Sequence, residues 1–164
     1  MATDFEVVSA SVHLEKGVYR VDAEIGYHLT GKPSEALENG VPLVLELEMQ
    51  VIHKRAYLWD ETLASVLLRH RLSYRALSRR YQLENLSTGR MESFPTLNAA
   101  VGFLRQVHDF PLIDQSLLQA DQNYVLALKA RLDIESLPTP LRALAYVTPE
   151  WYLSSSWYSL PLTP

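Results

Sequence analysis

Two histidines, His53 and His70, and the adjacent carboxylates Asp60 and Glu61 are the side chains whose types could do chemistry. Two rings on one face of a β-ribbon could share a divalent metal, and neighbouring carboxylates could bind a cation or act as an acid and base pair. Spacing argues against both. In a ribbon whose turn is centred near Leu58, His53 lies opposite Ala64, about six residues or ~20 Å along the strand from His70. The rings are therefore expected as separate, partly buried, hydrogen-bonded groups, and the two acids as part of a solvated corner. Glycines at 17, 26, 31, 40, 89 and 102 are too scattered for a phosphate loop or a dinucleotide fingerprint. Neither His-Glu-x-x-His nor Gly-x-Ser-x-Gly occurs. The chain has no cysteine, which removes thiol catalysis, zinc-thiolate sites and iron–sulfur clusters. The expectation is a protein without catalytic residues, cofactor or metal. An enzyme would need a cleft in which Asp60, Glu61 or a histidine meets a second polar group.

Binding is better represented than catalysis. From Lys54 to Arg90 there are eight Lys or Arg against three acids, whereas the remainder holds seven against sixteen. A basic middle thus sits in a chain of net charge −4, an overall balance that argues against a general nucleic-acid binder. The same ribbon register puts Glu46 opposite Arg71 and Glu48 opposite Arg69, so cross-strand pairing is expected to neutralise those two arginines. Arg75, Arg79 and Arg80 lie at the next reversal, with Leu77 at its tip. A charged rim around an apolar anchor is a common way to build a binding surface, which predicts contact with an acidic protein or an anionic membrane surface. The competing structural expectation is that Leu77 folds back into the core and the arginines only solubilise the turn. A second functional expectation is a small-molecule or lipid carrier, with Tyr27, Trp59, Trp151 and Trp157 lining a pocket between sheets. The plain reading of those rings is packed core and interface aromatics.

The elements that must position these residues are mostly strands. In the ribbon from Val41 to Tyr74, Leu43, Leu45, Leu47, Met49 and Val51 alternate with Glu46, Glu48 and Gln50; Ala64, Val66, Leu68, His70, Leu72 and Tyr74 alternate with Ser65, Arg69, Arg71 and Ser73. This period of two marks half-buried strands. Val8 to Leu14 and Tyr19 to Leu29 form a hairpin about Glu15-Lys16-Gly17, and Pro33 to Gly40 a short helical turn. Arg79 to Asn85 and Arg90 to Phe94 return as strands. Spacings of three and four through Leu97, Ala100, Val101, Leu104, Val107 and His108 predict a helix over about 96–107, capped by Thr96. Phe110 to Ile113 is expected as a brief edge strand, Tyr124 to Leu132 as a long one, and Trp151 to Leu160 as renewed alternation with Trp151, Leu153 and Trp157 on one side. Pro138 and Pro140 must leave any ladder. The length suits one domain over 1–164. The expected fold is a mainly β antiparallel sandwich of immunoglobulin-like or related topology, the alternative being an α+β arrangement with one curved sheet. No stretch is apolar enough to span a bilayer, and Met1-Ala2-Thr3-Asp4 lacks the basic and apolar regions of an export signal.

Ordered landmarks run the length of the chain: Gly40-Val41-Pro42-Leu43 with Glu46 and Glu48, Tyr57-Leu58-Trp59-Asp60, Arg71-Leu72-Ser73-Tyr74 with Tyr81, Tyr124 with Arg131-Leu132-Asp133, Leu137-Pro138-x-Pro140-Leu141, and Trp151 with Ser156-Trp157-Tyr158. In this combination the sequence resembles the bacterial family of unknown function DUF4390, from Phe5 to Leu160. The resemblance implies an exported protein, periplasmic or membrane-associated, since members generally carry an N-terminal export signal; a cytoplasmic location is the alternative. It also implies a link to a two-component system, because the genes often neighbour a nitrogen-regulation-type sensor histidine kinase. It carries over no catalytic residue. The functional expectation is a non-enzymatic interaction domain accessory to such a membrane sensor kinase.

Overall fold

The computed structural model describes residues 5–163, so the reading of Met1 to Asp4 lies outside it. Two antiparallel sheets face each other in a sandwich-like arrangement. The smaller holds β1 (Phe5–Glu15), β2 (Val18–Tyr27) and β7 (Gln106–Asp114) in the order β1-β2-β7. The larger runs β6-β5-β4-β3-β8-β9, from β3 (Leu43–Lys54), β4 (Glu61–Arg75), β5 (Arg80–Asn85), β6 (Met91–Phe94), β8 (Asn123–Leu132) and β9 (Tyr158–Leu162). Strict alternation explains the layers. Tyr19, Val21, Ala23, Ile25 and Tyr27 of β2, and Leu43, Leu45, Leu47, Met49 and Val51 of β3, are all buried in one apolar cluster between the sheets. At the β1–β2 turn Lys16 and Gly17 take φ of 49° and 79°, the left-handed pair that a two-residue hairpin loop needs.

Among the described residues there are three α-helices, α1 (Gly31–Glu38), α2 (Leu97–Leu104) and α3 (Thr139–Val147). Thr96 caps α2 as expected, its Oγ1 accepting from the Ala99 amide at 3.1 Å. The helix ends earlier than its spacing implied. Val107 and His108 belong to β7, where Val107 pairs with Ala23 and Gln106 with Glu24. Three-and-four spacing and alternation overlap at these positions, and a ladder to β2 satisfies more backbone than a further helical turn would. The expected edge strand over 110–113 is the second half of this longer β7. After Pro138, which leaves the ladder, Thr139 to Val147 coil into α3, an element that the prolines did not announce. The tail is also corrected. Trp151 ends a 3-10 turn, Tyr152 to Trp157 is irregular apart from a bridge at Ser154, and the strand begins at Tyr158.

The ribbon register differs by two residues from a turn centred near Leu58. Glu46 faces Arg69, Val44 faces Arg71 and His53 faces Glu61, with a bulge between Val51 and Ile52. His70 pairs with Leu45, eight positions along β3 from His53, so the histidines are separate groups.

Candidate functional site

β4 is the longest strand, and both of its ends project as hairpin tips. At one end the β4–β5 turn holds Ala76 to Arg79, with Arg79 in the left-handed region at φ 55°. Leu77 at its apex is fully exposed, so it does not fold back into the core. Arg75 Nε donates to Gln82 Oε1 at 3.0 Å and Arg80 Nε to Ser93 Oγ at 2.7 Å. These partners are neutral. Among the described residues no carboxylate lies within 4.0 Å of Arg75, Arg79 or Arg80. The neighbouring arginines behave differently. Arg69 reaches Glu46 and Asp133, each at 2.8 Å, and Arg71 reaches Glu84 on β5 at 2.7 Å. Both are neutralised as expected, but Arg71 by Glu84 rather than Glu46, and Arg69 by Glu46 rather than Glu48, because of the register.

At the other end lies the β3–β4 tip. Tyr57 is 97% exposed and Trp59 82%, with Leu58 exposed between them. Lys54 Nζ meets Asp60 at 2.8 Å and Arg55 meets Glu61 at 3.6 Å, so Asp60 and Glu61 serve as counter-ions at the base of the loop. His53 Nε2 lies 2.9 Å from Gln122 Oε1 and its ring packs on Tyr124.

The four aromatic residues expected around a pocket are not brought together. Trp59 stands in solvent at the tip, and Trp151 is a core residue. Trp157 is 45% exposed, with Lys129 Nζ 5.6 Å from its ring centre. Tyr27 is buried edge-on against Phe5, and burial pushes its phenol well above the ordinary value. Of the four, Tyr27 alone borders the half-open groove between the sheets. That groove, about 350 Å³, is lined by Leu47, Leu68, His70, Phe103, Val107 and Phe110 among others. Burial holds the His70 imidazole below its usual pKa, which keeps it neutral.

The model of the domain of unknown function DUF4390 matches residues 2–161. The chain belongs to the DUF4390 family. No curated protein and no solved structure matched it. In this DUF4390 domain one polar cluster escaped the sequence reading. On the outer face of the small sheet His13 lies 3.5 Å from Asp22, 3.3 Å from Asp109 and 3.6 Å from Glu15, while His108 contacts Asp22 at 2.9 Å. Asp109 sits at φ 54° where the β2–β7 register shifts, and its amide donates to Asp22. Arg20 also reaches Asp109, so three carboxylates and two imidazoles gather around one guanidinium. The signal that could have found it is the shared parity of His13 and Glu15 on β1 and of Arg20 and Asp22 on β2. Assigning His108 to a helix hid the third strand.

Proposed function

We propose that this DUF4390 domain is a non-enzymatic, exported interaction module that docks its arginine tip on an acidic surface of a membrane-associated protein. The sensor region of a two-component histidine kinase is the partner that the family resemblance favours. The observation that carries the reading is Leu77, fully exposed at a turn where Arg75 and Arg80 have neutral partners and, among the described residues, no carboxylate reaches Arg75, Arg79 or Arg80. Such charges steer association and set its rate, and a central apolar side chain supplies the desolvated contact. The purified extracytoplasmic region of a nitrogen-regulation-type sensor histidine kinase, the kind of neighbour that the family resemblance implies, is the partner to test. Exchanging Arg75, Arg79 and Arg80 for serine together is expected to weaken its binding by about tenfold or more and to flatten the salt dependence. The melting temperature should stay nearly unchanged, since exposed polar contacts contribute little. Unaltered affinity in the triple variant, or a large fall in melting temperature, overturns the assignment.

A second reading, a carrier of a small apolar molecule, is favoured by the groove between the sheets, whose size suits such a ligand. An apolar fluorescent probe should then bind to the wild-type protein and lose its site in Val107→Trp, which fills the groove. Equal probe fluorescence in both proteins removes this reading.

A further inference from the structure

The β3–β4 tip places Tyr57, Leu58 and Trp59 consecutively in solvent at the far end of β4 from the arginine tip. Folding gives no reason for this, because apolar side chains at a turn are stabilised by nothing when exposed. We propose that this tip is a bilayer-contact element, inserting Tyr57, Leu58 and Trp59 into the interfacial region of a lipid membrane. Tyrosine and tryptophan are the side chains that settle at headgroup level, with the ring in the apolar zone and the polar edge toward water. Tyr57 and Trp59, at 97% and 82% exposure, are open nearly all round, so a fluid interface can surround them.

The charges at the base fit the same occupant. Lys54 with Asp60 and Arg55 with Glu61 cancel in pairs, so no net charge is carried toward the interface. Arg55 Nε donates to the Trp59 carbonyl at 3.1 Å, which satisfies a backbone acceptor that would be costly to bring into an apolar medium. The fifteen residues of β4 separate the two tips by roughly 50 Å at about 3.3 Å per residue. With the aromatic end at the membrane, the arginine end points to a protein partner rather than to the same bilayer. Three side chains make a reversible grip rather than a permanent anchor. No helix among the described residues is long and apolar enough to cross a membrane.

The test is sedimentation of the full chain with vesicles of phosphatidylcholine, with and without phosphatidylglycerol, at millimolar lipid and at low and high salt. Both compositions should pellet the protein to a similar extent, and salt should change little, because the tip is uncharged overall. Tyr57→Ser, Leu58→Ser and Trp59→Ser together should reduce partitioning by at least about tenfold, while Arg75→Ser, Arg79→Ser and Arg80→Ser should leave it unchanged. Brominated lipid should quench Trp emission in the wild type and much less in Trp59→Phe, which still pellets. The proposal is overturned by an absence of pelleting with either vesicle, by binding that needs phosphatidylglycerol and vanishes in salt, by quenching that persists in Trp59→Phe, or by a tip variant that loses the kinase region instead of the vesicles. The kinase measurement and the vesicle measurement use different tips, so either reading can fail alone.

Discussion

Trp151→Ala is expected to lower the stability by about 3–5 kcal/mol, the range for removing a large buried aromatic side chain. Trp151 is 2% exposed and ends the 3-10 turn Pro149–Trp151, where that turn packs on both α1 and α3. Its loss would leave a cavity where the 3-10 turn packs against the two helices. In a domain of this size the melting temperature should fall by roughly 6–20 °C. Trp59→Ala makes the control: with its ring in solvent, the change should stay within about 0.5 kcal/mol. Thermal denaturation of the two variants separates a core tryptophan from a surface one. Equal effects at both positions would contradict the placement of Trp151.

The second large effect is expected at Glu46. It is 7% exposed on the central strand β3, and its carboxylate accepts from Arg69 Nε at 2.8 Å and Arg131 Nε at 3.0 Å. Arg131 continues to Glu48 at 2.7 Å and Arg69 to Asp133 at 2.8 Å, so the network ties β4, β3 and β8 together with the segment after β8. Removing one member of a buried pair costs more than the pair contributes, because the partner charge stays behind without compensation. Both arginines are about one-third exposed and keep a second carboxylate, which places Glu46→Ala near ~2–3 kcal/mol rather than at the top of that range. Glu46→Gln, which preserves shape and one acceptor, should cost less. Urea denaturation of the two variants checks the order, and a neutral Glu46→Ala would show that the network is decorative.

Acid should weaken the same region. For Glu48, burial raises the pKa, but hydrogen bonds from Arg131, Gln50 and Ser65, with the charge of Arg131, outweigh it and leave the carboxyl below its ordinary 4.5. A lowered carboxylate stabilises the fold in full above the unfolded value and loses that contribution as pH falls through the folded one. His70 acts in the same direction and earlier. Held neutral by burial below its ordinary 6.5, it makes the unfolded chain the better proton acceptor as pH drops under that value.

Alternation was legible wherever it was strict. The parity of Tyr19 to Tyr27 and of Leu43 to Val51, the Lys16-Gly17 turn, the Thr96 cap and the exclusion of Pro138 from a ladder all follow from local geometry: side chains two apart share a strand face, and a left-handed loop or a missing amide acts within a few residues. The arginine tip was legible for the same reason, since a turn between two alternating runs places its own residues. Register was not, because a bulge and the length of a tip loop shift every cross-strand partner, and the alternation within each strand does not reveal either. That shift gave Glu46 to Arg69 and Arg71 to Glu84. Nor could periodicity decide Val107 and His108, which fit both a helix and a strand until β2 offered a ladder. The four aromatics were equivalent as letters. Only the meeting of segments distant in sequence buried Tyr27 and Trp151, left Trp157 beside Lys129, and stranded Trp59 in solvent. Burial is set by what packs against a side chain from elsewhere in the chain, and alternation fixes only the side of the strand on which that partner must arrive.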